Sequence, residues 1–357
     1  MAHMFVPGPV DVDPDILAAQ TQPMLPHRSQ AFEEIFRRCW EKARQIFYTQ
    51  SRVFITASSG TGLQEAAVRN LAKQKVLSCV NGAFGKRWYD VAISNGKQAD
   101  ILEAEWGQPI SPEIVTKALK DHHYEAITVV HNETSVGLQN PIEEIAAAVH
   151  EISPDTLICV DAVSSLGGAL VDMDGWRLDL VLTSSQKCLA LPPGLGLAAV
   201  SDRAMAYAEQ VPARGWYFDL VLLEKHLHKD TTPATPAVSL IYALDAQIDH
   251  ILNEGLVNRF ARHSAMAERT HEWALANGFD LFTPEGYRSQ TVTTVTNARD
   301  INVPDLNKFL LEKGMRIANG YGSLKNKTFR IAHMGETRMA DMEALFEVMD
   351  EYLRRKV

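Results

Sequence analysis

Between about residues 50 and 200, short apolar runs rich in β-branched side chains alternate with longer stretches of helical periodicity. No other feature of the chain constrains its fold as much. Runs at 52–56, 75–80, 126–131, 156–161, 178–183 and 197–201 read as strands. Stretches at 62–73, 85–95 and 141–151 read as helices, the last opened by a proline in its first turn. Strands that are apolar nearly throughout have no polar face to offer water, so they imply a mostly parallel sheet covered on both sides by helices. Ligands of such sheets bind beyond the carboxyl ends of the strands. Residues 215–236 break the alternation. A long helix over 239–277, bent near Gly255, then leads to a strand at 291–295, a helix at 303–313, a strand at 328–332 and a last helix at 338–355. This tail predicts a separate small α+β domain.

With 357 residues, a large domain with a smaller partner is expected, and 46% hydrophobic with 22% charged residues argues against disorder. The net charge of −9 is spread along the chain. Nucleic-acid binding calls for a basic patch, so small-molecule chemistry is the better reading. No apolar stretch reaches the roughly 18 residues of a membrane span, and the N-terminus has no charged-then-apolar leader pattern. A cytoplasmic protein with no membrane or nucleic-acid partner is expected. Met1-Ala-His-Met resembles a cloning remnant and is set aside. Cys39, Cys79, Cys159 and Cys188 show no paired CxxC spacing, so no metal site is expected; Cys79 and Cys159 lie in apolar runs and read as core.

Two polar residues stand at strand ends. Asp161 closes the run 156–161, and Lys187 follows the run 178–183, ahead of a Pro-Pro-Gly turn. Pyridoxal phosphate chemistry needs such a pair. A lysine amine forms a Schiff base with the aldehyde, and a carboxylate keeps the ring nitrogen protonated so that the ring accepts electrons. A lone lysine is more often a surface charge, so the weight falls on what surrounds it. Ala57-Ser-Ser-Gly-Thr-Gly lies between a strand and a helix, where backbone N–H groups and hydroxyls suit a phosphate. It matches neither GxxxxGK[ST] nor GxGxxG, and a plain tight turn fits it as well. Phe84, after the second strand, either stacks on a flat ring or packs into the core. The polar stretch His131-Asn-Glu-Thr-Ser-Val-Gly is costly to bury unless a cofactor oxygen or neighbouring backbone bonds it.

Val160-Asp-Ala-Val-Ser-Ser-Leu-Gly-Gly, followed by Ser184-Ser-Gln-Lys-Cys-Leu-Ala-Leu-Pro-Pro-Gly, resembles the class V aminotransferases. More narrowly it resembles the alanine–glyoxylate and serine–pyruvate (or serine–glyoxylate) branch. The resemblance runs from Pro7-Gly-Pro to Phe329-Arg-Ile-Ala-His-Met-Gly. It implies a fold type I, aspartate aminotransferase-like α/β architecture. Residues 1–20 would serve the active site and small domain, 21–255 the large pyridoxal phosphate-binding domain, and 256–357 the small C-terminal domain.

The same resemblance assigns roles. Lys187 would carry the cofactor and then shuttle the proton, and Asp161 would pair with the ring nitrogen. Val163 and Phe84 would cover the two ring faces. Ser59, Gly60, Thr61 and Gln186 would hold the phosphate, with Thr61 standing where some relatives have histidine. Ser135 and Thr134 would face the ring hydroxyl. Thr232 and Thr235 would reach the phosphate of a second subunit, making the active unit a homodimer with shared sites. Arg330 would clamp the substrate carboxylate. Residues near Pro9, His27, Phe84 and Tyr321 would select the side chain. The implied reaction is ping-pong transamination from alanine or serine to glyoxylate or pyruvate. A phosphoserine or aminophosphonate transaminase would need further cations, for which His27, Arg28 and Arg316 are candidates. A lyase or kynureninase-like activity and a non-catalytic binding protein of the same fold are the other readings. Cysteine desulfurase chemistry needs a thiol well downstream of the lysine, whereas the last cysteine is Cys188.

Overall fold

The computed structural model describes residues 3–355. β1 (His3–Phe5) and α1 (Pro14–Ala19) lead into α2 (Gln30–Ile46), whose Phe32, Phe36, Cys39, Ala43 and Ile46 form one buried stripe. Then come β2 (Arg52–Ala57), α3 (Gly60–Leu71), β3 (Lys75–Val80), α4 (Ala83–Ser94), β4 (Gln98–Glu103) and α5 (Pro112–Asp121). β5 (Ala126–Val130), the short β6 (Asn132–Glu133) and β7 (Leu138–Gln139), α6 (Ile142–Ile152), β8 (Leu157–Asp161), β9 (Leu180–Ser184) and β10 (Leu195–Val200) follow.

A seven-stranded sheet runs in the order β2-β10-β9-β8-β5-β3-β4. Only β10 is antiparallel to its neighbours, β2 and β9. The mostly parallel α/β architecture is therefore observed. Strands β5, β8, β9 and β10 are buried at every residue, which is why they read as unbroken apolar runs. The edge strand β4 has no fully buried residue.

Helix α7 (Asp202–Ala208) precedes the irregular segment, and α8 (Leu220–Leu227) lies within it. The expected long helix is two helices, α9 (Val238–Glu254) and α10 (Leu256–Ala276). They are divided at Gly255, whose φ of +80° ends the first and starts the second. β11 (Asp280–Leu281), β12 (Val292–Thr296), α11 (Val303–Glu312), β13 (Met315–Asn319), β14 (Thr328–Ala332) and α12 (Met339–Arg355) complete the chain. The second sheet runs β1-β13-β14-β12-β11, with β1 parallel to β13 in the register His3↔Met315 to Phe5↔Ile317. His3 and Met4, set aside in the sequence, are thus strand residues. Trp273 stacks on Phe346 at 5.1 Å beneath this sheet, beside Phe5, Phe279 and Phe329. No helix among the described residues is long and apolar enough to cross a membrane.

Candidate active site

Strands β8 and β9 lie side by side in parallel, with Asp161 opposite Leu182. Their carboxyl ends therefore deliver Asp161 and the loop carrying Gln186 and Lys187 to one edge of the sheet. The loops after β2, β3 and β5 converge there, enclosing a cavity of about 210 Å³. Its lining includes Ser59, Gly60 and Thr61 from the start of α3, and Phe84 from α4. Thr134, Asp161, Val163, Gln186 and Lys187 complete the expected set that shares this wall.

Asp161 is 4% exposed. One carboxylate oxygen accepts from Gln64 Nε2 at 2.7 Å and the other from the Val163 N–H at 2.9 Å. Burial pushes its carboxyl above the usual range, and these hydrogen bonds oppose that shift. Among the described residues no cation forms an ion pair with it. Burial also pushes the Lys187 ammonium down to about 8. Its Nζ donates to the Pro7 carbonyl. That approach depends on Gly8, at φ +96°, because a Cβ there would lie 2.5 Å from Lys187 Cδ and 2.9 Å from Nζ.

Helix α3 starts with Ser59 as its cap, accepting from the Gly62 N–H. A Cβ on Gly60 would collide with Val163 at 2.5 Å, so glycine lets the helix end approach the Asp161 loop. Phe84 is only partly buried. It faces Tyr321 at 5.9 Å and carries the Arg87 guanidinium 4.9 Å from its ring centre. Arg87 Nη1 reaches back to Thr61 Oγ1 at 3.2 Å. Three buried polar atoms in the lining, Gln64 Oε1, Asn132 Oδ1 and Ser184 Oγ, have no hydrogen-bond partner. Each such atom costs about 1–3 kcal/mol unless a group in the cavity meets it.

Ser135 lies behind the wall rather than in it. Its hydroxyl donates to Glu133 Oε1 and accepts from the Ala83 N–H. Glu133 is fully buried, and its other oxygen accepts from the N–H groups of Phe84 and Gly85 at 3.0 Å each. A buried carboxylate needs these donors, and meeting that need fixes the first turn of α4 that carries Phe84.

Arg330 enters from β14 in the second sheet, 9% exposed. It donates to the carbonyls of Asn319 and Thr134 at 3.2 Å each and lies 5.5 Å from the Tyr321 ring centre. It has no carboxylate partner among the described residues, and burial lowers it to about 10. A dry, unpaired guanidinium of this kind is suited to an incoming carboxylate. Pro9 is exposed and outside the lining, next to Gly8. Thr232 and Thr235 also lie elsewhere, in a shallow apolar pocket with Trp216 and Tyr217. Arg28 is tied to the Thr232 carbonyl at 2.6 Å, and Arg316 is exposed on β13. Cys188 is fully buried, and burial pushes its thiol up to about 12, so it offers no nucleophile.

Behind Lys187 stands a residue absent from the sequence reading. Arg259 of α10 is 1% exposed and donates to the carbonyls of Gly167 (2.8 Å) and Cys188 (2.9 Å). It pairs with Glu254 at 2.7 Å and Glu336 at 2.8 Å. Arg262 also pairs with Glu254, at 2.6 Å, and donates to the carbonyls of Thr337 and Gly335. The helical period that aligns Arg259 with His263, Met266, Ala267 and Thr270 on the buried face was the available signal.

Residues 16–341 match the family described as Aminotransferase class-V. An uncharacterized aminotransferase of Methanocaldococcus jannaschii is 38% identical over 338 residues, covering 93% of this chain and 87% of the relative. The serine–glyoxylate aminotransferase of Methylorubrum extorquens is 32% identical over 348 residues, 94% of this chain and 86% of its own. Among solved structures, the alanine–glyoxylate aminotransferase of Nostoc sp. matches with a TM-score of 0.94 at 29% identity, across 99% of this chain and 95% of that one. With these matches spanning nearly its whole length, the chain belongs to the class V aminotransferase family and is an aminotransferase.

Proposed function

We propose that the protein is a pyridoxal phosphate-dependent transaminase that moves an amino group from a small L-amino acid, alanine or serine, to glyoxylate or pyruvate. The observation that carries this reading is the cavity lined by a buried Asp161 and a depressed Lys187, with the unpaired Arg330 held against its wall through the Thr134 carbonyl. When bound, the cofactor supplies an aldehyde for Lys187 and a ring that draws electrons from the substrate Cα–H bond. Three unsatisfied polar atoms in the wall and a carboxylate without a cation suit such a polar ring.

Asp161 holds the ring-nitrogen proton, while Val163 and Phe84 confine the ring between them. The α3 N-terminus, with Ser59, Gly60, Thr61 and Gln186, receives the phosphate. Thr134 faces the ring hydroxyl; the Ser135 hydroxyl is already held by Glu133. Lys187, whose amine burial lowers to about 8, stays basic enough to take a proton yet keeps a neutral fraction near neutrality that an ordinary lysine lacks, and it moves the substrate α-proton. Arg330 orients the substrate carboxylate. The two half-reactions use one site in turn, so each keto product leaves before the next substrate enters.

Thr232 and Thr235 complete the phosphate site of a second copy. Trp216 (60% exposed) and Tyr217 (44% exposed) beside them support a homodimer face. Residues 1–20 and 256–357 serve the small domain and 21–255 the large one, in keeping with β1 joining the second sheet. The test is the visible spectrum of the purified protein before and after L-serine or L-alanine. Bleaching of a yellow band by either donor is expected. A yellow protein that neither donor alters would overturn the substrate assignment, and failure to take up pyridoxal phosphate would overturn the cofactor assignment.

A further inference from the structure

We propose that Arg87 is the cationic group by which this chain holds the cofactor's phosphate. The inference rests on the pyridoxal phosphate reading above and concerns a residue to which that reading gives no role. The phosphate loop read from the sequence, Ser59, Gly60, Thr61 and Gln186, contains no positive side chain. A phosphate monoester carries about −1.5 to −2 charges near neutrality, and a helix N-terminus offers roughly half a positive charge. A deficit of about one charge remains.

Arg87 is placed to meet it. It lines the same cavity as Ser59, Thr61 and Lys187. It lies three residues after Phe84 on α4, so one helical turn carries both the aromatic ring and the cation. The guanidinium rests over Phe84, with its carbon 4.9 Å from the ring centre. From there Nη1 donates to Thr61 Oγ1 at 3.2 Å, at the first turn of α3. Stacking on the ring orients the flat fork without using its N–H groups.

The cation is also uncommitted. Its neighbour Lys86 pairs with Asp90, and Arg69 pairs with Glu65. Arg87 has no carboxylate partner among the described residues, and its one hydrogen bond there is to Thr61. Arg330, a second guanidinium without a carboxylate partner among the described residues, comes from β14 and donates to the Thr134 carbonyl. The two guanidiniums thus divide the labour: Arg87 takes the phosphate and Arg330 the substrate carboxylate.

The experiment compares cofactor-free wild type, Arg87→Met and Arg87→Lys, each first shown by thermal melting to fold. Each is titrated with pyridoxal phosphate and with pyridoxal, which lacks the phosphate, and binding is read from the visible band and tryptophan fluorescence. Loss of a charge-assisted contact should weaken pyridoxal phosphate binding to Arg87→Met by about 10- to 100-fold. Pyridoxal binding should be unchanged, Arg87→Lys should fall between, and inorganic phosphate should compete more weakly in Arg87→Met than in wild type. Unchanged affinity for pyridoxal phosphate would overturn the proposal. So would equal weakening of both ligands, which would mean that Arg87 only supports Phe84. A defect confined to the KM for a dicarboxylic donor such as L-aspartate would overturn it in favour of a substrate role. If wild type takes up no pyridoxal phosphate at all, the cofactor reading falls with it, a result distinct from any difference between variants.

Discussion

Replacing Arg259 with methionine should be among the most damaging changes that leave the cavity lining intact. The guanidinium is 1% exposed and holds two carboxylates and two carbonyls, all at 2.7–2.9 Å. Breaking a buried charge pair costs about 3–5 kcal/mol when the remaining charge is left alone. Here it is not quite alone: Glu254 keeps Arg262 and Arg338, and Glu336 keeps Arg338 and Gln247. That moves the estimate toward the lower end, while two orphaned carbonyls add about 1 kcal/mol each. A net loss of about 5 kcal/mol follows, or roughly 5–10 °C in melting temperature for a chain of this size. The loss should also depend on pH. Against burial, which pushes it up, Arg262 and Arg259 hold the Glu254 carboxyl down at about 2. A depressed carboxylate contributes stability above its unfolded pKa of about 4.3 and loses it as pH falls toward the folded value. The gap between wild type and variant should therefore be full at neutral pH and narrow below about pH 4. Thermal melts monitored by circular dichroism between about pH 2.5 and pH 8 read both effects. An Arg259→Met protein melting within about 1 °C of wild type at pH 7 would refute the reasoning.

Other outcomes follow from the cavity. Gly8→Ala places a methyl 2.5 Å from Lys187 Cδ at a φ of +96°, forcing a shift at the amine; kcat should fall on the order of 100-fold, and wild-type turnover would refute the close approach. With the Lys187 amine pushed down to about 8, its neutral fraction grows with pH up to that point. Stopped-flow capture of pyridoxal phosphate should therefore accelerate about tenfold per pH unit below 8 and level off above it; a rate still climbing steeply beyond about pH 9 would contradict the depressed amine. Arg330→Gln should raise the KM for the amino donor by about 10- to 100-fold while leaving cofactor affinity unchanged, and a pure loss of cofactor would speak against a carboxylate-binding role.

The parts of the fold legible in the sequence were those whose burial is local and complete. Strands β8 and β9 are apolar at both faces, so their ends, and with them Asp161 and Lys187, could be located from the chain alone. Strand β13, with a single buried residue, and β1, only three residues long, carry no such signature, because their pairing joins opposite ends of the chain. The same distance hides polar partners. Gln64 meets Asp161 from 97 positions away, and Arg87 meets Thr61 from 26. Residue type marks the reacting groups, whereas the groups that hold them are defined by packing. Glu133 is the intermediate case: a polar stretch after a strand signalled a buried network, but not that the carboxylate would secure the turn bearing Phe84.

The register that sets Phe5 against Ile317 has a consequence for how the protein is made. Pro7 and Gly8, which lie against the Lys187 amine, leave the ribosome long before Ile317 does. The strand that anchors them finds its partner only after Ile317 has emerged. A nascent or truncated chain can contain the whole seven-stranded sheet through Val200 and still lack a seat for β1. Synthesis therefore completes the contact over Lys187 only once β13 has emerged, and a chain truncated before it has Lys187 without the segment that covers it.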